Sequence, residues 1–141
     1  MSLFVNAENN TISMRRNDSG VLQFVFDNDM TGVFVTFAVK ADRADSDEEA
    51  VITKTYLCGK DAYVAPNVAY FYLTPEDTAS LEVEPIKDKF DYQDYCWMIK
   101  LETEYGMLAD TIIPSGTAKY PKFRLYYGSV PDYNKQGTLL G

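Results

Sequence analysis

The sequence predicts an all-β protein: a sandwich of about seven to nine antiparallel strands, with one short helical turn and an extended C-terminal arm. Three observations predict it. Apolar side chains recur at every second position through short segments, the period of a strand with one face on a core. Gly, Asn, Asp and Pro separate those segments at intervals of about 8 to 15 residues. Eleven Tyr and eight Phe supply flat rings that suit a pleated, half-buried surface.

Leu3-Phe4-Val5 is a short apolar run that reads as an edge strand or a docking arm. Ile12 and Met14 alternate with Thr11, Ser13 and Arg15 in the first full strand. Asn17-Asp18-Ser19-Gly20 is a turn cluster, with Gly20 available for positive φ. Leu22, Phe24 and Phe26 alternate with Gln23 but also with Val21 and Val25, which predicts cover on both faces. Asp27 to Gly32 turns the chain. In the clearest strand, Val33, Val35, Phe37 and Val39 point one way and Phe34, Thr36, Ala38 and Lys40 the other. Residues 41–49 are nearly all charged or small and read as a solvated, mobile loop. Val51 to Leu57 is a strand, Gly59-Lys60-Asp61 a turn, and Val68 to Leu73 the returning strand.

That strand stops at Pro75, which cannot donate to a ladder. Thr74 sits at a helix N-cap, with Pro75 at the first helical position and Glu76 and Asp77 near the positive end of the dipole. Only Ala79 and Leu81 are apolar enough to turn inward, so a single turn is expected. Val83 to Asp94 reads as a long charged loop. Tyr95, Trp97, Ile99 and Leu101 then alternate with Cys96, Met98, Lys100 and Glu102. Tyr105-Gly106 turns into a strand ending at Ile113, closed by Pro114-Ser115-Gly116. Tyr120 to Tyr127 is the last strand, with Phe123, Leu125 and Tyr127 on one side. The expected core is Phe24, Phe37, Tyr72, Leu81, Trp97 and Ile99. Trp97, the single Trp, is its centre; an exposed ligand-stacking platform is the competing reading.

Residues 1–127 are expected to form the sandwich and 128–141 the arm. Gly128, Pro131, Asn134, Gly137 and Gly141 interrupt regular structure there, while Tyr133, Leu139 and Leu140 are apolar. Such a tail is expected to be ordered by a neighbour.

The run Leu73-Thr74-Pro75-Glu76-Asp77-Thr78-Ala79-Ser80-Leu81, followed by aromatic-x-aromatic-x-Ile-x-Leu at Tyr95 to Leu101, carries a family resemblance. It resembles small immunoglobulin-like domains of tailed-phage virion proteins, among them the N-terminal domain of the phage baseplate upper protein and short tail or neck proteins. "MRRNDSGVLQFVF" is similar to the opening strand pair of that pattern and "GVFVTFAVKAD" to its next strand, so the likeness spans most of residues 12–127. The relatives carry Gly-x-Tyr directly after the turn. Here Val83 to Asp94 stands in its place, outside what the family implies. The fold implied is an immunoglobulin-like β-sandwich, and no chemistry comes with it.

At 141 residues one domain is expected. A chain of that size buries roughly two thirds of its unfolded surface. With 46% hydrophobic and 24% charged residues, it falls among globular and not disordered chains. Net charge is 13 minus 21, or −8, and only Arg15-Arg16 are adjacent basic residues. Phosphate contact needs clustered Lys and Arg, so no nucleic acid partner is expected. No signal peptide and no apolar run of membrane-spanning length is present, so no membrane partner is expected. Cys58 and Cys96 read as reduced thiols behaving as small hydrophobes; their spacing alone does not decide whether they pair.

The chain contains no His. That removes the usual general base near neutral pH, the Ser-His and Cys-His pairs and the commonest zinc ligand. No phosphate-cradling glycine loop is present. Asp91 and Asp94 form a carboxylate pair that reads as a solvated face. Asp27-x-Asp29-x-Thr31-Gly32 matches half a calcium loop, but the twelfth position is Ala38 where a bidentate Glu is required, and a hairpin turn explains the same residues. No catalytic, cofactor or metal residue is expected.

The expected function is therefore a non-enzymatic structural protein of a tailed-phage virion (tail, baseplate or neck), made in the host cytoplasm. It would act as a rigid spacer that contacts other virion proteins and copies of itself. Tyr126, Tyr127, Tyr133, Leu139 and Leu140 are the expected contact residues. One alternative is a receptor- or carbohydrate-binding module on the same virion, holding a cell-surface glycan with exposed Tyr and acidic loops such as 42–49. Another is an acidic inhibitor of a host defence protein, which predicts acidic side chains along one strip.

Overall fold

The strands, in chain order, are β1 (Leu3–Val5), β2 (Ile12–Arg15), β3 (Gly20–Val25), β4 (Val33–Lys40), β5 (Ile52–Leu57), β6 (Val68–Leu73), β7 (Tyr92–Thr103), β8 (Ala109–Ile113), β9 (Lys122–Tyr126) and β10 (Thr138–Leu140). They come from a computed structural model that describes residues 3–6, 9–42, 44–81, 92–103, 109–113, 121–127 and 138–140. A 3-10 turn, Asp47–Glu49, precedes β5, and a short helix, α1 (Pro75–Ala79), follows β6. The expected turn at Tyr105-Gly106 and most of the charged insertion after Leu81 lie outside the described residues, as does the first part of the C-terminal arm.

The strands form two sheets. A seven-stranded sheet has the order β1-β2-β9-β7-β4-β5, with β8 also on β7; a three-stranded sheet has the order β10-β3-β6. Strand β7 is twelve residues long, enough for two partners along one edge. Its first half pairs with β9 from Tyr92 to Cys96, and β8 takes over from Ile99 to Glu102. Antiparallel pairing throughout was the expectation, and two ladders correct it. Strand β2 runs parallel to β9, with Ile12 opposite Phe123, and β10 runs parallel to β3, with Leu139 opposite Phe24. Both join segments far apart in the chain, so no tight turn imposes opposed directions.

The inner faces of the two sheets share one apolar core. Phe24, Phe37, Trp97 and Ile99 are fully buried and Leu81 nearly so. The Phe37 ring lies 5.7 Å from Phe71 on the small sheet, 5.9 Å from Trp97 and 6.5 Å from Phe123 on the large one. Removing each such ring from water contributes about 1.5–3 kcal/mol. The Trp97 indole N–H donates to the Asn10 carbonyl at 3.0 Å, so its polar atom is satisfied as the ring is buried.

Tyr72 departs from the expected core: it is 58% exposed. Val68 to Leu73 is almost wholly apolar or aromatic, so its period does not show which alternate set turns inward. The ladder settles it by pairing Leu22 with Phe71 and Val21 with Tyr72, which sends Phe71 and Leu73 in and Tyr70 and Tyr72 out. Urea denaturation is expected to separate the two sets. Phe71→Ala should cost about 3–5 kcal/mol and Tyr72→Ser less than about 1 kcal/mol; equal costs would contradict the register.

Positive φ in the β2–β3 turn falls on Asn17, at 69°, not on Gly20. Gly20 is needed for another reason: a Cβ there would stand 2.7 Å from the Leu3 Cβ, so its absence lets β1 close over β3. Helix α1 forms as the residues require. The Thr74 hydroxyl accepts from the Asp77 N–H at 3.2 Å, and the Asp77 carboxylate accepts from the Thr74 N–H at 2.8 Å, a reciprocal cap. Thr78 is buried, and its hydroxyl accepts from the Asn17 N–H at 2.9 Å. Arg16 donates to the Ala79 carbonyl at 2.8 Å, so the helical turn and the β2–β3 turn hold each other.

The described residues of the 41–49 segment are nearly all exposed, as a solvated loop requires, and are tied by local bonds. Lys40 is only 3% exposed, and its ammonium donates to the Asp45 carbonyl at 3.1 Å and the Asp47 carboxylate at 2.8 Å. Lys100 reaches the other Asp47 oxygen at 3.3 Å. Ser46 and Glu49 close a capping box on the 3-10 turn. A buried ammonium needs such partners, so the loop folds down onto Lys40.

Candidate functional site

Strand β5 ends the path of the large sheet, and among the described residues its one ladder is to β4. The hairpin sets Phe34 opposite Leu57 and Thr36 opposite Thr55 on the outer face, where the two Thr hydroxyls lie 3.1 Å apart. Just past β5, the Cys58 N–H donates to the Val33 carbonyl at 3.0 Å, and Gly59, at φ +81°, redirects the chain. Asp61 accepts from the Tyr63 N–H at 2.9 Å, and its carbonyl accepts from the Val64 N–H at 3.1 Å. This tight turn leaves Tyr63 99% exposed.

Between that turn and the hairpin is an open hollow of about 610 Å³, lined by Phe34, Tyr56, Leu57, Lys60, Asp61 and Tyr63 among others. The Tyr56 ring meets Tyr70 edge-on at 6.4 Å. Its hydroxyl is buried with no hydrogen-bond partner among the described residues. Burial, then the nearby Asp61 charge, raises the pKa of this phenol, so it stays protonated at neutral pH as a potential donor. Tyr70, partly exposed on the outer face of the small sheet, is that neighbour. Alternate tyrosines in Tyr70-Phe71-Tyr72 and a lone Tyr in a polar turn were the available sequence signals; placing Phe34 and Tyr56 beside that turn requires the fold.

The expected contact residues that the structure describes fall on strands of both sheets. Tyr126 is 4% exposed and is corrected from a contact residue to a packed one. Its ring lies 5.3 Å from Tyr92, and Arg124 stacks 4.0 Å over the Tyr92 ring. Arg124 also grips Asp94 with two bonds of 2.8 and 3.1 Å; that carboxylate leads the causes that raise the Arg124 pKa. Tyr127 follows β9 and is half-buried, Tyr133 lies outside the described residues, and Leu139 and Leu140 belong to β10 in the other sheet. Asp94 is committed to Arg124, and its expected companion Asp91 lies outside the described residues.

Both cysteines are free thiols. Burial pushes both pKa values up, which disfavours the reactive thiolate. Asp29 accepts from the Thr31 N–H and hydroxyl, the local bonding of a turn. Among the described residues no group of three His, Cys, Asp or Glu is placed to hold a metal ion, and no helix is long and apolar enough to cross a membrane.

Fold and surface together define a β protein of two sheets around one core, with an aromatic hollow at one sheet edge. No family model, no curated protein and no solved structure matches the chain.

Proposed function

We propose that this protein is a non-enzymatic structural module of a tailed-phage virion, in the tail, baseplate or neck. In this reading an immunoglobulin-like sandwich acts as a rigid spacer and joins copies of itself and other virion proteins through strand edges. The resemblance around α1 and β7 motivates the setting. The edge of β5 without a ladder among the described residues is the observation that carries the mechanism. The bond from the Cys58 N–H to Val33 fixes the alternation of the ladder: Tyr56 and Lys54 direct their N–H groups to β4, and Leu57, Thr55 and Thr53 direct theirs outward. Six residues without an internal proline form a template for another strand.

Thr53→Pro tests this, because it removes an outward donor and leaves the ladder to β4 intact. The variant is expected to keep the wild-type circular dichroism spectrum and to lose the oligomers, or the incorporation into particles, that light scattering and co-purification detect for the wild type. Unchanged assembly of the variant would count against edge pairing. A wild-type chain that is always monomeric and absent from particles would end the proposal. Deleting residues 129–141 is a less specific test, since it also strips β10 from β3. The acidic-inhibitor alternative has no specific observation behind it: Asp47, Asp77 and Asp94 are ion-paired at separate places.

A further inference from the structure

We infer that the hollow between the β4–β5 hairpin and the 60–63 turn is a binding site for a neutral saccharide, with a sugar ring stacked on Tyr63. This gives the carbohydrate-binding alternative a place and a residue set. It rests on no part of the edge-pairing proposal, so either can fail alone.

Three features converge on this ligand class. First, Tyr63 is held at the rim by the Asp61 turn with its ring almost wholly in water. The ring contributes no packing in the free protein, so its apolar face is available to a ligand. Second, Phe34, Tyr56 and Leu57 supply an apolar floor and walls, while Thr55, Lys60 and Asp61 place a hydroxyl, an ammonium and a carboxylate around them. A pyranose offers the matching mixture, with apolar C–H faces and a rim of hydroxyls that donate and accept. Third, Lys60 and Asp61 are adjacent and opposite in sign, so the lining has no net charge and favours a neutral ligand over a phosphate or a polyamine. The volume of about 610 Å³ lies in the range of small-ligand sites.

Saturation-transfer NMR on the whole chain is the test, with glucose, galactose, N-acetylglucosamine and their β-linked disaccharides as probes. At least one probe is expected to bind and to shift the amide signals of Leu57 and Tyr63. Tyr63→Ala should weaken that probe about tenfold, the loss expected for one aromatic stacking contact, with no change in melting temperature. Tyr63→Phe should retain binding. Tyr72→Ser, an exposed tyrosine outside the lining, should bind as the wild type does. Disaccharides binding more tightly than their monosaccharides point to a surface glycan, and equal binding points to a free sugar; both support the site. The inference is overturned if no probe binds, if Tyr63→Ala binds undiminished, or if a proline-rich peptide occupies the hollow and the saccharides do not.

Discussion

Trp97→Ala is expected to lower the free energy of unfolding by about 3–5 kcal/mol, measured by urea denaturation with circular dichroism. The indole is fully buried and in ring contact with Phe37, which also meets Phe71 on the opposite sheet. Truncation would therefore open a cavity against a residue that bridges both layers. It would also leave the Asn10 carbonyl without the indole donor it now accepts from. Trp97→Phe should recover most of the packing and cost less. A loss below about 1 kcal/mol for the alanine variant would mean that the site collapses freely, and the indole would lose its place as the organiser of the core.

Asp47→Ala is the second large effect, expected at about 1–3 kcal/mol near neutral pH. The Asp47 side chain is itself 53% exposed, so the direct Coulomb gain is largely screened. The cost comes from Lys40, whose buried ammonium would keep, among the described residues, the Asp45 carbonyl alone. Lys40→Met removes the buried charge together with its need for a partner and should cost less than Asp47→Ala. The pH dependence follows from the Asp47 carboxyl, which the Lys40 hydrogen bond leads in holding below its usual value of 3.8. A depressed carboxylate pKa contributes stability that is fully present above the unfolded value and is lost as pH falls through the folded one. The gap between wild type and Asp47→Ala should thus be constant from about pH 5 to 7 and narrow below about pH 4. Chemical denaturation at pH 7 and pH 3 measures both points, and a gap that widens in acid would contradict the assignment.

Helix α1 was legible because its instructions are local: Thr74, Pro75 and Asp77 make a reciprocal cap within four consecutive residues. The alternation of β4 was equally plain, with Val35, Phe37 and Val39 buried as it requires. The start of β7 was not. Gln93 and Asp94 look like loop residues until Arg124, thirty positions away, closes on Asp94. The parallel ladders were hidden because a strand has the same two-residue period in either direction. Tyr126 looked available for contact because its aromatic character gives no sign of whether Tyr92 covers it. The hollow was invisible for the same kind of reason: Phe34 and Tyr63 are joined by tertiary packing and by no shared motif.

The β2–β9 ladder links a segment near the beginning of the chain to one near its end, with both strands running the same way. If the two ends are pulled apart, β1 and β10 can peel away, but β2 and β9 must then slide lengthwise past each other. Tension falls on all their cross-strand bonds together and does not open them singly. A ladder loaded in this manner resists by shear and not by unzipping.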